Sequence, residues 1–168
     1  MSVTFQAKEI INTKQSNLLY TVALSVLLLL IASKVHIPIG IVPITLQTFV
    51  VFFLGLQLDK RSAINTGITF VVIKLMTLPF WGCPSFGYII GMGITLPAMS
   101  YMKQITHNQI ISCIVGYLIT NSFGCLWLHN FVSDWYLVWQ CGIFPFILME
   151  IFKAYTAICL SSFFKKTF

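Results

Sequence analysis

The chain has 168 residues, of which 58% are hydrophobic and only 8% are charged, and its mean hydropathy is +0.90. This composition leaves too little polar surface to cover a water-soluble globule of that size. The net charge of +6 does not indicate a nucleic-acid-binding protein, because the basic residues do not cluster on one soluble surface. We therefore predict an integral membrane protein with a single domain over residues 1–168.

Six apolar segments approach the roughly 20 helical residues that a bilayer crossing needs. In chain order they are Leu18–Ser33, Ile44–Leu58, Ser62–Leu78, Phe86–Met102, Ile110–Leu128 and Leu137–Phe163. The first is predicted to be a retained span rather than a signal peptide, because no small-residue cleavage pattern follows it. The sequence thus predicts an all-α, polytopic bundle of six membrane-spanning helices.

Most basic residues lie at the N-terminus, at the C-terminus or in two alternate connections between spans. They are Lys8, Lys14, Lys60, Arg61, Lys103, Lys165 and Lys166. With six spans all these positions are on one side, so the positive-inside rule predicts that both termini are cytoplasmic. The expected location is the cytoplasmic membrane.

The residue patterns of catalytic and metal sites are not expected in this chain. Five cysteines lack CxxC spacing, and the three histidines (His36, His107 and His129) are scattered in predicted loops as solvated residues. Cys83 and Cys141 both lie near the predicted outer face, which leaves a disulfide between them open. Without a GxxxxGK[ST] loop or a nucleophile–base pair, we predict neither an enzyme nor an ATPase, so another protein would have to drive uphill transport.

Two charged residues lie inside the last predicted span. Glu150 and Lys153 are three positions apart, and no other acidic residue falls within a predicted span. A carboxylate and an ammonium are costly at membrane depth unless they serve a function. On one helix face they can bond each other or a polar ligand between helices. The two interpretations are a binding site and an ion pair that merely neutralises itself.

Further polar residues lie toward the predicted outer side. Thr45 and Gln47 begin the second span, and Lys74 lies about one turn from the outer end of the third. Lys74 either extends its ammonium to the interface without further role or contributes to a site. Together with Glu150 and Lys153, these groups predict an outward-facing cavity for a small, largely apolar molecule with polar ends.

The outer connections 34–43 and 79–85 are apolar but contain proline and glycine. They cannot be helical throughout, and the first is expected to fold over the bundle as a lid. All four tryptophans fall near the same face: Trp81, Trp127, Trp135 and Trp139. They form an aromatic belt, or one or two of them line the cavity.

Several motifs resemble the BioY family in order and spacing over nearly the whole chain. They are Ile37-Pro38, Val42-Pro43-Ile44-Thr45-Leu46-Gln47-Thr48-Phe49 with Gly55-Leu56, Leu78-Pro79-Phe80, Cys83-Pro84-Ser85-Phe86-Gly87-Tyr88-Ile89-Ile90-Gly91, Gly124-Cys125-Leu126-Trp127-Leu128, and Gly142-Ile143-Phe144-Pro145-Phe146 with Glu150 and Lys153. Members of this family are the biotin-specific substrate-capture (S) components of energy-coupling-factor (ECF) transporters.

The resemblance implies the six-helix S-component fold in a bacterial cytoplasmic membrane, with biotin as substrate and no cofactor. It implies partners as well: a transmembrane coupling (T) protein and two ATPase subunits. The substrate-binding residues expected from the residues and the resemblance together are Thr45, Gln47, Lys74, Tyr88, Glu150 and Lys153. Because family members pack small residues of the first helix against the T protein, Thr21 and Ser25 are the expected partner-binding pair.

The chain departs from the family pattern at the site itself. Glu150 stands where the family usually has Asp, Phe86 replaces a glycine, the stretch 80–84 is shorter than usual, and Lys74 stands where glycine is expected. We hypothesise that Lys74 or Lys153 holds the biotin carboxylate while Glu150 accepts from the ureido N–H groups. The alternatives are an S component for riboflavin or thiamin, and a non-transporting helical scaffold subunit.

Overall fold

Helices account for most of the computed structural model, which describes residues 2–37, 42–77 and 82–167. The helices are α1 (Ser2–Ala32), α2 (Gln47–Gln57), α3 (Lys60–Thr77), α4 (Phe86–Thr106), α5 (Gln109–Leu128), α6 (Trp135–Gly142) and α7 (Ile147–Thr167). Two short antiparallel strands, β1 (His36–Ile37) and β2 (Ile44–Thr45), pair between α1 and α2. The order and helical type of the elements follow the sequence prediction.

The bounds of three predicted spans differ from the observed helices. Helix α1 begins at Ser2, well before the predicted Leu18, and α2 begins only at Gln47 because Ile44 and Thr45 pair with β1. The last predicted span is divided into α6 and α7 by residues 143–146. Pro145 lies in this break, where its missing N–H interrupts no helical hydrogen bond.

Large apolar side chains cover much of the outer surface of the bundle. Three helical segments are long and apolar enough to cross a membrane: Gln15–Ala32, Gln109–Leu128 and Ile147–Phe164; α2 is apolar but shorter. Among the exposed side chains are Tyr20, Met76, Leu148 and Phe152, each at least 65% accessible. An apolar exterior of this extent fits a lipid environment, as expected for a multi-pass membrane protein.

One end of the bundle gathers the basic turns that the sequence predicted to share a side. The ammonium of Lys103 on α4 donates to the Leu56 carbonyl at the end of α2, and that of Lys60 lies 4.9 Å from the centre of the Tyr101 ring. The end of α7 is also here, since Gln57 donates to the Ser161 carbonyl. A cation beside the last carbonyls of α2 is favourable for the helix dipole.

The opposite end of the bundle contains the ends of α1 and α3. The Lys74 ammonium, near the end of α3, donates to the hydroxyl of Ser33, which follows α1. Because α1 and α3 end together, they run parallel, and the start of α1 lies toward the basic end. The structure therefore groups the basic turns, the start of α1 and the end of α7 at one end of the bundle.

Helix α4 lies at the centre, packed against α2, α3 and α5. Its contact with α3 is close because Gly67 faces Gly93, where a Cβ on Gly67 would overlap the Gly93 carbonyl oxygen. On the α5 side, the buried Thr95 hydroxyl donates to the Gly116 carbonyl (3.1 Å) and lies 2.8 Å from that of Thr120. These contacts hold fixed the helix that carries Tyr88.

Candidate functional site

A cavity of about 240 Å³ opens at the end of the bundle opposite the basic turns. The described residues that line it are Ser33, His36, Val42, Pro43, Thr45, Gln47, Thr48, Lys74, Cys83, Ser85, Tyr88, Ile89, Met92, Thr120, Asn121, Phe146, Glu150 and Lys153. The volume is slightly below the usual range of about 300–1,000 Å³ for small-molecule sites. All six substrate-binding residues predicted from the sequence are among these lining residues.

Glu150 and Lys153 form a buried ion pair across one turn of α7. The Lys153 ammonium lies 2.7 Å from Glu150 Oε1, and both residues are 7% exposed. The same ammonium donates to Thr48 Oγ1 and to the Thr45 carbonyl, each at 2.8 Å. All three N–H groups of Lys153 are therefore occupied, which is how a buried cation is stabilised.

The Thr48 hydroxyl connects α2 to this ion pair. It donates to Glu150 Oε1 at 2.7 Å and accepts from Lys153. Glu150 Oε1 thus receives two hydrogen bonds, whereas its other oxygen, Oε2, receives none from the described residues. A carboxylate oxygen that lacks a partner at the edge of a cavity is available to a donor on a ligand.

Gln47, at the start of α2, is buried at 4% exposure and lines the same cavity. Its amide nitrogen has no hydrogen-bond partner in the described part of the chain. An unsatisfied buried amide costs about 1–3 kcal/mol. Because this nitrogen is itself buried, the amide would have to turn toward the cavity to donate to a ligand carbonyl. The donor of Gln47 and the acceptor of Glu150 are therefore complementary to a group that has both a carbonyl and an N–H.

Lys74 lines another wall of the cavity, where α3 packs on α1. Its ammonium donates to Ser33 Oγ at 2.9 Å, and this is its one hydrogen bond with the described residues. One interpretation of the sequence was that Lys74 merely extends its ammonium to the membrane interface. In the structure the ammonium bonds to Ser33, and Lys74 lines the cavity.

Tyr88 joins three helices at the cavity wall. Its hydroxyl donates to the Gly142 carbonyl at 3.0 Å, at the end of α6. The ring lies on Gly124 of α5, where a Cβ would overlap the ring carbons. Tyr88 therefore fixes the break between α6 and α7 and presents an aromatic surface, while Phe146, Ile89 and Met92 complete the apolar wall.

Sequence reasoning missed several polar residues that line the cavity: Ser33, Thr48, Ser85, Thr120 and Asn121. Thr48 lies in the motif that carries the family resemblance. Small hydroxyl and amide residues are common in membrane helices, however, so their presence alone does not indicate a binding site. His36 was expected to be a solvated loop residue; it is exposed but also lines the cavity. His107 and His129 do not line it. The prediction that His129 is solvated is wrong, because its ring is half-buried and stacks on Trp135 with the ring centres 4.2 Å apart.

The predicted lid is only partly described. Val42 and Pro43 of the first outer connection line the cavity, as do Cys83 and Ser85 of the second, whereas residues 38–41 and 79–81 lie outside the described residues. Of the tryptophans, Trp81 is likewise outside them. Trp127, Trp135 and Trp139 are not part of the described lining, so the prediction that one or two of the four tryptophans line the cavity is not supported for these three.

Of the predicted partner-binding pair on α1, Thr21 is partly exposed whereas Ser25 does not lie on an open face. Ser25 is only 3% exposed and packs inside the bundle, and the half-buried Thr21 donates to the Asn17 carbonyl of its own helix (2.8 Å). The exposed side of α1 instead carries Tyr20, Leu24 and Leu27. Ser25 is therefore not positioned to contact a docked protein, because its side chain already faces neighbouring helices.

The cysteines remain separate thiols. Cys83 and Cys141 are both free, and the part of the chain that the structure describes contains no cluster of His, Cys, Asp or Glu able to hold a metal ion. The Cys83 sulfur lies 3.2 Å from the Ser85 hydroxyl, and Cys125 lies 3.8 Å from the Tyr88 hydroxyl. The disulfide left open by the sequence is not formed.

The helical arrangement is the fold of an S-component. The structure resembles the crystal structure of the S-component for biotin from an ECF-type ABC transporter with a TM-score of 0.78 and 24% identity, covering 92% of this chain and 94% of that one. The model of the BioY family matches residues 5–168, and the chain belongs to the BioY family.

Relatives of the chain come from distant organisms. It is 32% identical over 163 residues to "Biotin transporter BioY2" of Lactococcus lactis, a match covering 85% of this chain and 86% of that protein. It is 26% identical to "Probable biotin transporter BioY" of Pyrococcus horikoshii (83% and 91% covered) and 27% identical to the protein of the same name from Rickettsia prowazekii (86% and 81%).

Proposed function

We propose that the protein captures biotin from the outside of a bacterial cytoplasmic membrane and delivers it inward as the S component of an ECF transporter. The observation that carries this proposal is one cavity lined both by Gln47, whose amide nitrogen is unpaired, and by Glu150, in a chain of the BioY family. The relatives named as biotin transporters support biotin as the substrate.

Biotin has chemistry complementary to this cavity. Its ureido ring offers two N–H donors and one carbonyl acceptor, so an N–H can donate to Glu150 Oε2 while the carbonyl accepts from Gln47. Thr45, Thr48 and Lys153 hold Glu150 in place through the buried network. The apolar bicyclic ring and valeryl chain suit the surface formed by Tyr88, Ile89, Met92 and Phe146.

With six spans and both termini in the cytoplasm, as the sequence predicts, this cavity would lie on the outer side. Its position opposite the basic turns supports that orientation. Release to the inside requires a source of free energy, and the chain has no nucleotide-binding loop. A transmembrane T protein with two ATPase subunits would provide it.

The other candidate functions have less support. A riboflavin-specific S component would place a larger aromatic ring system in a cavity of about 240 Å³. A thiamin-specific one would bring a cation to a cavity whose Lys74 has no counter-ion among the described residues. A scaffold subunit would not need an unsatisfied amide and an available carboxylate oxygen at one cavity. No specific observation favours either function over biotin capture.

Calorimetric titration of the purified protein in detergent with biotin, riboflavin and thiamin tests the proposal. We expect binding of biotin alone, and a loss of at least about tenfold in affinity, about 1.4 kcal/mol, in Gln47→Leu and in Glu150→Gln. Gln104→Leu is the matched control, because Gln104 is exposed at the far end of α4. Binding of a different vitamin, or of none, would contradict the proposal.

A further inference from the structure

We propose that the cavity contains a separate anion subsite, formed by Lys74 and positioned by Ser33, which takes the carboxylate of the cargo. This inference rests on the proposed function and deepens it, because it assigns the two ends of the ligand to two different walls. It also makes the protein selective for a free acid over a neutral derivative of the same molecule.

Lys153 is not available as the partner of the ligand carboxylate. Its three N–H groups donate to the Thr45 carbonyl, to Thr48 Oγ1 and to Glu150 Oε1, at 2.7–2.8 Å. A ligand carboxylate could bind it only by displacing one of these acceptors, and it would then lie beside the Glu150 carboxylate. Repulsion between the two anions disfavours that arrangement.

Lys74, in contrast, has donors available. Its one hydrogen bond within the described residues leaves two ammonium N–H groups unused. Its charge is also uncompensated: the Glu150–Lys153 pair is the only ion pair among the described residues. A half-buried ammonium that lines a cavity and lacks a counter-ion binds an anion favourably, because a charge-assisted bond then replaces lost hydration.

Ser33 fixes the direction of the Lys74 side chain. The Ser33 hydroxyl donates to the Leu30 carbonyl at 2.7 Å, so its oxygen is oriented to accept from Lys74. The Phe70 ring lies below the ammonium, with its centre 6.0 Å away. Ser33 thus acts as a positioning residue, which orients the cation without needing to touch the ligand.

The two polar centres are on different walls. Ser33 and Lys74 belong to the contact between α1 and α3, whereas the Glu150–Lys153 pair belongs to the contact between α2 and α7. Lys34 lies near enough to Lys74 for their charges to interact. This makes the α1–α3 wall electropositive, while the α2–α7 wall is internally neutralised. An elongated ligand with one neutral polar end and one anionic end is therefore oriented by the cavity.

The test is calorimetric titration with biotin and with biotinamide, which replaces the carboxylate by a neutral amide of almost the same size. For the unmodified protein we expect biotin to bind at least about tenfold more tightly than biotinamide. In Lys74→Met, the affinity for biotin should fall by at least about tenfold while the affinity for biotinamide stays the same. The ratio of biotin affinity to biotinamide affinity should therefore approach one.

Three further variants separate positioning from charge. Ser33→Ala should reduce the ratio of biotin affinity to biotinamide affinity several-fold. Lys74→Arg, which keeps the positive charge, should keep this ratio well above one. The control Lys34→Met should retain most of the ratio of the unmodified protein. A merely structural defect would weaken both ligands equally and leave the ratio unchanged.

Failure of the inference is distinguishable from failure of the proposed function. If the unmodified protein binds biotin and biotinamide equally, or if Lys74→Met keeps the preference for the acid, the anion subsite is overturned while biotin capture stands. If the unmodified protein binds neither compound, the proposed function fails and the subsite fails with it.

Discussion

At the scale of single residues, the site depends on which hydrogen-bonding groups are already occupied. Thr48 both donates to Glu150 and accepts from Lys153, so one hydroxyl completes the partners of a buried cation and a buried anion. What remains for a ligand is Glu150 Oε2 and the Gln47 amide. Glu150 and Lys153 line the cavity, where the sequence places them, and so does Thr48. Thr48 lies in the family motif, but the sequence does not show that its hydroxyl reaches a pair on another helix.

Replacement of Thr48 by Val tests this hydroxyl at nearly constant volume. The change removes one donor to Glu150 and one acceptor for Lys153, and should lower the free energy of unfolding by about 1–3 kcal/mol. Thermal unfolding in detergent measures the effect. Thr156→Val is the matched control, since the Thr156 hydroxyl bonds only to carbonyls of its own helix. Equal melting temperatures for the two variants would contradict the role of Thr48.

At the scale of elements, the break between α6 and α7 shapes the cavity. Pro145 lies in the break, and the Tyr88 hydroxyl holds it through the Gly142 carbonyl, an approach that a Cβ at position 142 would block. The turn between α2 and α3 is fixed locally. Asp59 accepts from the N–H groups of Arg61 and Ser62, and the Ser62 hydroxyl is the main reason that the pKa of the Asp59 carboxyl is below its usual value. A local cap of this type follows from sequence, but the tyrosine contact over 54 residues does not.

Gly124→Ala tests the contact between α5 and the Tyr88 ring. The added Cβ would overlap the ring carbons, so the ring must shift toward the cavity or the helices must separate. We expect a loss of about 1–3 kcal/mol of stability together with weaker biotin binding, measured by thermal unfolding and calorimetry.

Gly82→Ala is the control for that substitution, because a Cβ at Gly82 meets no atom within 4 Å. It should change neither stability nor affinity. An unaffected Gly124→Ala variant would show that the α5 backbone does not need to approach Tyr88 so closely.

At the scale of the whole molecule, the bundle is polarised along its length. The basic turns lie at one end, and the cavity with its buried pair lies at the other. Membrane insertion and the positive-inside rule then decide which end meets the cytoplasm. The same polarity separates the ligand entrance from the surface where a cytoplasmic ATPase module would act.

Cysteine labelling in intact cells tests this orientation. A membrane-impermeant maleimide should label Lys34→Cys from outside, because position 34 lies near the cavity mouth and is exposed. Lys60→Cys, at the basic end, should be labelled only after the cells are permeabilised. Labelling of the unmodified chain gives the baseline from its native cysteines, and the reverse pattern would contradict the predicted topology.

The sequence by itself determined that the protein is helical and lies in a membrane, which family it belongs to, and that Glu150 and Lys153 share one helix face. These properties depend on hydropathy and on spacing within one helix, which are local. Only the tertiary structure decided three other features. Thr48 bonds to Glu150, which is 102 residues away in sequence, Ser33 accepts from Lys74, which is 41 residues away, and Ser25 is buried. Such contacts depend on how separate helices pack, because a hydrogen bond forms only when packing brings a donor within about 3 Å of an acceptor.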